Sequence, residues 1–155
     1  YDWQGTGATS STDYQKVQAV LSSACSAGGS IALYGRISAD WASFIQLLIY
    51  GNGSYVLYGS AASVLTVLDS GSCTPPGAGA TITLYCGDKD TTAPRQFKAE
   101  INGSTICSHT DVSTTLYGAS YRKWGWGGSG YFASSFGYGQ WNIPASLNQW
   151  IGADQ

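Results

Sequence analysis

Two Asn-Gly dipeptides constrain this chain more than any other feature. Residues 44–50 and 54–58 flank Gly51-Asn52-Gly53, and residues 96–101 and 104–108 flank Asn102-Gly103. Asn and Gly tolerate the positive φ angles of tight hairpin turns, so each dipeptide between two strand-forming runs predicts a β-hairpin. In the second, Phe97, Ala99 and Ile101 alternate with Gln96, Lys98 and Glu100, the period of a strand with one dry face and one wet one. Residues 30–34, 64–68, 80–85 and 114–117 read as further strands. Cys73-Thr74-Pro75-Pro76-Gly77 cannot lie inside a sheet. Many short strands between turns predict a mainly β fold, an antiparallel β-sandwich or barrel, formed by one domain over residues 1–155.

Two stretches read as helix. Over residues 12–24, Tyr14, Val17, Leu21 and Ala24 recur at three- and four-residue steps, with Ser11 or Thr12 as a cap and Gly28-Gly29 just past the end. Over 143–151, Leu147, Trp150 and Ile151 share a helical face, Pro144 suits the first turn and Gly152 a C-terminal cap. Residues 39–50 carry both signals. Trp41, Phe44, Ile45 and Leu48 fit a helical stripe capped by Ser38, while the β-branched content and the Asn-Gly turn favour strand. Leu-Tyr-Gly occurs at 33–35, 57–59 and 116–118, with Leu-Tyr-Cys-Gly at 84–87. The expectation is that strands end in an aliphatic–aromatic pair and turn at the glycine. The unequal steps between copies argue against a threefold repeat.

The charge pattern excludes several function classes. The net charge is −2, and Arg122-Lys123 is the one dense basic cluster. Nucleic acids and anionic membranes need many basic residues on one face. The longest nearly apolar run, 42–50, is too short to span a bilayer as a helix. The absence of Met and the start at Tyr1 read as a mature, secreted, extracellular chain freed of a signal peptide. The sequons Asn52-Gly53-Ser54 and Asn102-Gly103-Ser104 agree with glycosylation at Asn52 and Asn102. Cys25, Cys73, Cys86 and Cys107 show no CxxC pair and no clustered His, which favours disulfides over zinc. Cys86–Cys107 is the preferred pair, since both sit on predicted neighbouring strands, leaving Cys25–Cys73.

The aromatic residues carry the functional signal. The chain holds six Trp, eleven Tyr and four Phe with only 10% charged residues, and residues 121–141 are mostly rings and glycine. Such a segment is too polar for a continuous core strand, because buried Tyr and Trp need partners for their O–H and N–H groups. Trp124, Trp126, Tyr131, Tyr138 and Trp141 are therefore the expected platforms for the apolar face of a sugar. Gln140 and Asn142 would supply hydrogen bonds to its hydroxyl edge. The partner implied is a glycan or cell-surface glycoprotein, with no cofactor and no metal. The competing use of the segment is a protein interface, as in an effector or immune-active protein, including a homodimer.

Catalytic constellations are sparse, so a binding protein is favoured over an enzyme. His109 and Asp111 share a face of an extended strand, which suits a general base held by an acid and so a small extracellular hydrolase. No Gly-x-Ser-x-Gly elbow accompanies them. Glu100 is the sole Glu and points to solvent on the hairpin pattern, leaving Asp40, Asp69, Asp88, Asp90 and Asp111 scattered. The turn 87–91 reads as solvated, its Lys89 opposing a calcium site.

Overall fold

The computed structural model describes residues 2–9, 14–21, 24, 27–88, 93–111, 116, 118–129 and 153–154. In chain order the strands are β1 (Asp2–Thr9), β2 (Gln15–Val20), β3 (Ser30–Ile37), β4 (Phe44–Tyr50), β5 (Ser54–Ala61), β6 (Val64–Ser72), β7 (Thr81–Asp88), β8 (Ala93–Ile101), β9 (Ser104–Thr110), β10 (Lys123–Ser129) and β11 (Ala153–Asp154), with a 3₁₀ turn at Ala119–Tyr121 before β10. They form two antiparallel sheets, a six-stranded one in the order β1-β10-β3-β4-β5-β6 and a five-stranded one in the order β11-β2-β7-β8-β9. The arrangement is a sandwich, not a closed barrel.

Both Asn-Gly hairpins form, as β4–β5 and β8–β9. Asn102 and Gly103 both have positive φ, at 52° and 79°, whereas only Gly53 does in the first turn, at 88°. A third hairpin, β5–β6, turns through Ala62 and Ser63 with φ of 49° and 67°. Neither residue favours that region. Their amides are held from outside, Ala62 N–H donating to Ser43 Oγ (3.0 Å) and Ser63 N–H to Ala42 O (2.6 Å).

The helix expected over 12–24 is instead β2. Gln15, Val17 and Ala19 are buried while Lys16, Gln18 and Val20 are half-buried, so the true period is two. A buried glutamine masked it. Gln15 Oε1 accepts from Arg36 N–H at 2.7 Å and its Nε2 donates to Tyr121 O at 3.1 Å, which satisfies the amide inside the core. Residues 143–151 lie outside the described residues, and no α-helix occurs among those described. Among the described residues no helix is long and apolar enough to cross a membrane.

Between the sheets, Ile31, Leu33, Ile45, Leu47, Ile49, Leu57 and Trp124 meet Val17, Ile82, Leu84, Phe97 and Ala99. Each fully buried aliphatic contributes about 1.5–3 kcal/mol. One charge joins them. Gly35 and Arg36 of β3 oppose the single Trp124 of β10 in a β-bulge, and Arg36, at φ 52°, turns inward. Its guanidinium is fully buried and donates to Leu116 O (2.9 Å) and to Cys86 O (3.2 Å). Arg36 thus ties the six-stranded sheet to β7 of the other.

Cys86 and Cys107 are free thiols, which overturns the expected disulfide. They lie on β7 and β9, which flank β8: Cys86 is opposite Phe97 and Cys107 opposite Ala99. Two strand spacings of about 4.8 Å separate their backbones, beyond the roughly 7 Å Cα–Cα limit of a disulfide. Burial pushes both thiols up to about 12, Arg36 opposing the rise at Cys86. Cys73 is also a free thiol, donating to Gly53 O at 3.3 Å; Cys25 lies outside the described residues.

Candidate functional site on the outer face of the six-stranded sheet

The Leu-Tyr-Gly echo marks the most distinctive surface. Two copies lie in mid-strand, on β3 and β5, and not at strand ends as the sequence suggests. In each, the leucine points into the core (Leu33, Leu57) and the tyrosine points out (Tyr34, Tyr58). The glycine returns inward, where a larger residue would not fit. A Cβ on Gly35 would lie 2.5 Å from Cys86 Sγ, and one on Gly59 would lie 3.2 Å from Leu68 Cδ1. Leu84-Tyr85-Cys86 on β7 follows the same in–out–in rule, while Tyr117 lies outside the described residues.

Cross-strand register places Tyr34 opposite Gln46, Gln46 opposite Tyr58, and Tyr58 opposite Val67. Such directly opposed side chains are in contact distance. Gln46 Nε2 donates to Tyr34 Oη at 2.7 Å, and both residues are nearly buried. Phe44 meets Tyr34 edge to face, with centroids 5.5 Å apart at 76°, a favoured ring geometry. Ala32, Ile37 and Leu48 form a small apolar floor, against which the half-buried Trp41, Phe44, Tyr50 and Tyr58 pack. The outward residues of β3 to β6 include no charged side chain. This surface offers partly accessible rings over a fixed amide and phenol, and it suits a neutral ligand with one apolar face and several hydroxyls.

Of the sequence-predicted platforms, the structure describes Trp124 and Trp126, and both lie on β10, away from this face. Trp124 belongs to the core, with 6% of its surface exposed, so its ring is no open platform. Trp126, two residues on and on the same side of β10, is half-buried and packs on that core. Their N–H groups made a buried location look costly from sequence, but the flanking Gly125 and Gly127 let β10 run as a central strand between β1 and β3. Tyr131, Tyr138, Gln140, Trp141 and Asn142 lie outside the described residues. The sequence reading missed Tyr34, Phe44, Gln46, Tyr50 and Tyr58 as site residues. Their signal was present in a β4 run apolar on both faces and in the tyrosine echo.

His109 and Asp111 do come together. Both are half-buried and line one cleft of about 360 Å³ with Ile45, Gly59, Ser60, Thr66, Leu68 and Leu116. The buried hydroxyl there, on Ser60, donates to Ala42 O at 3.1 Å, so it is not aimed at the imidazole. Glu100 is paired with Lys98 (2.9 Å) and accepts from Tyr85 Oη (3.1 Å). Among the described residues no three His, Cys, Asp or Glu side chains gather to hold a metal ion. Residues 89–92 lie outside the described set. Asn52 and Asn102 are both exposed at turn tips.

One family model matches residues 3–155, nearly the whole sequence. The chain belongs to the DUF7257 family. That family is described as a domain of unknown function. No curated protein matches this DUF7257 chain. Among solved structures it is similar to sheep galectin-11 in complex with glycerol, with a TM-score of 0.56 at 13% identity, covering 81% of this chain and 88% of that one. The carbohydrate-binding module CBM66 from Bacillus subtilis gives 0.54 at 13%, covering 80% and 71%. Domains LG4-5 of the mouse laminin α1 chain give 0.53 at 16%, covering 92% of this chain but 36% of that one. At these identities the likeness is one of fold: the DUF7257 chain is a two-sheet β-sandwich of the kind those proteins share.

Proposed function

We propose that this chain is an extracellular, lectin-like carbohydrate-binding protein whose ligand rests on the outer face of β3, β4 and β5. The observation that carries the proposal is the uncharged row Tyr34–Gln46–Tyr58 with Phe44 beside it. A pyranose packs its C–H face on a ring and needs donors and acceptors at its edge. The amide and phenols supply both, and the lack of charge matches a neutral sugar. The fold shared with a galectin and a carbohydrate-binding module supports the reading. Tyr131, Tyr138, Gln140, Trp141 and Asn142 stay in the proposal on sequence grounds, and glycosylation at Asn52 and Asn102 belongs to the same extracellular reading. With Cys86–Cys107 gone, that reading rests on the sequons.

One sugar on one or two rings gives about −4 to −5 kcal/mol, a millimolar to sub-millimolar site. Affinity chromatography on a panel of polysaccharides, followed by Tyr58→Ala and Phe44→Ala, tests the proposal. Retention on at least one polysaccharide should fall about tenfold in each variant, a loss near 1.4 kcal/mol, measured at a temperature where circular dichroism shows each variant fully folded, since both rings also pack on the apolar floor. Equal retention of both variants, or no retention of the wild-type chain on any polysaccharide, overturns it.

A further inference from the structure

The two sheets end on the same side of the sandwich in very different edges. The five-stranded sheet ends in β9, Ser-Thr-Ile-Cys-Ser-His-Thr, whose exposed positions are Ser104, Thr105, Ser108 and Thr110. The six-stranded sheet ends in β6, where Val64, Leu65 and Val67 are 66%, 53% and 55% exposed. No described strand lies beside β6 on the side away from β5, toward which one row of its backbone N–H and C=O groups points. Protein edges are normally blunted by lysine, proline or a bulge. Residues 64–67 have none of these. The bulge of this strand comes only at Leu68, where the register with β5 shifts, and the first charge, Asp69, follows it.

We propose that β6 is a self-pairing edge, through which two copies of this chain join their six-stranded sheets into one continuous antiparallel sheet. The segment Val64-Leu65-Thr66-Val67-Leu68 is complementary to itself when reversed about Thr66. Thr66 then meets Thr66 of the second copy, Leu65 meets Val67, and Val64 meets Leu68. Apolar residues thus face apolar ones, and Thr–Thr pairs are favourable across strands. Both Asp69 carboxylates fall outside the paired stretch. A twofold axis through Thr66 gives an isologous interface that closes on itself. A foreign strand could use the same backbone groups, but nothing would then require this symmetry of the segment. Leu65 and Val67 stand on the same face as Tyr58, opposite Ser60 and Tyr58 respectively, so the dimer would carry two copies of the aromatic face on one side. The dimer does not depend on what that face binds.

Sedimentation equilibrium of the full chain from roughly 1 to 300 µM, a span that brackets micromolar association, is the test. The wild-type chain is expected to pass from monomer to dimer. Leu65→Lys with Val67→Lys, both at exposed positions, would set lysine against lysine in two cross-strand pairs and weaken the dimer roughly a hundredfold. Circular dichroism should stay unchanged. Thr105→Lys on β9 should leave the dimer intact. Amide hydrogen exchange at residues 64–68 should slow in the wild-type dimer and not in the double variant. A wild-type chain that stays monomeric, a dimer that survives the double variant, or one that Thr105→Lys dissolves overturns the proposal. So does a monomer that binds a synthetic strand peptide at β6, which would assign that edge to another protein.

Discussion

Each sheet shows the solvent a cross-strand row built around tyrosine, and the two rows differ in what has already claimed the ring. On the five-stranded sheet the row is Lys16–Tyr85–Lys98. The ammonium of Lys98 lies 4.5 Å from the Tyr85 centroid and that of Lys16 lies 5.7 Å away, so cations hold the π face. The phenol donates to Glu100, and burial together with that bond raises its pKa. On the six-stranded sheet the row is Tyr34–Gln46–Tyr58, and its neighbours are neutral rings and aliphatics. Tyr85 is spent on its own strands, whereas Tyr58 and Phe44 keep part of their rings accessible. Counting aromatics does not separate these two faces; asking which rings already carry a cation does.

The strongest challenge to this contrast is Trp124→Ala. If the useful rings are outside, this inner one serves the core, and its loss should cost about 3–5 kcal/mol in urea unfolding. A variant with an unchanged midpoint would return Trp124 to the surface and undo the comparison. Next is Gly35→Ala, which tests whether Tyr34 is presented by the close approach behind it. The added methyl meets Cys86 Sγ, a cost of about 1–3 kcal/mol, and a second change, Cys86→Ala, should recover most of it. The same thiol predicts a pH effect. Unfolded, it ionises near 9.0; folded, near 12. Between those values the unfolded state binds fewer protons, so stability is complete below pH 9 and falls as pH rises toward 12. Unfolding midpoints against pH should show a shallower alkaline decline in Cys86→Ala.

Smaller effects sharpen the contrast further. Tyr34→Phe removes the acceptor of the Gln46 amide in a nearly buried setting and should cost about 1–2 kcal/mol. Lys98→Ala removes a cation from the Tyr85 ring and an exposed ion pair, with an expected cost near 0.5 kcal/mol. It should leave polysaccharide retention as it was. A drop in retention there would move the binding face to the five-stranded sheet.

The sandwich was legible because its hairpins announce themselves. Asn102-Gly103 and the alternation around Phe97 demand strands whatever packs above them. Residues 44–50 resolve to strand for a related reason: Ile45, Leu47 and Ile49 take the core and Phe44, Leu48 and Tyr50 the opposite face. β2 was illegible because a core position holds Gln15, a residue whose burial depends on Arg36 and Tyr121, distant in sequence. The site was half legible. The tyrosine echo stood in the sequence, but its meaning depends on Cys86 and Leu68 crowding Gly35 and Gly59 from behind. The ring-rich stretch at 121–129 misled because glycine beside tryptophan signals ligand approach and close strand packing equally well.

The turn at Ala62 and Ser63 has a bearing on how the molecule assembles. Two non-glycine residues in the left-handed region disfavour that hairpin in isolation by about 1 kcal/mol each. Their amides are quieted only once Ala42 and Ser43 are in place. The β8–β9 hairpin, with Asn102-Gly103 at its tip, has no such debt and should close first. Pulse-labelled hydrogen exchange during refolding is expected to protect residues 96–108 before residues 64–68. On that order of events the exposed Val64, Leu65 and Val67 would for a time have no strand on either side, and crowding of refolding molecules at that stage would favour exchange of this border between chains.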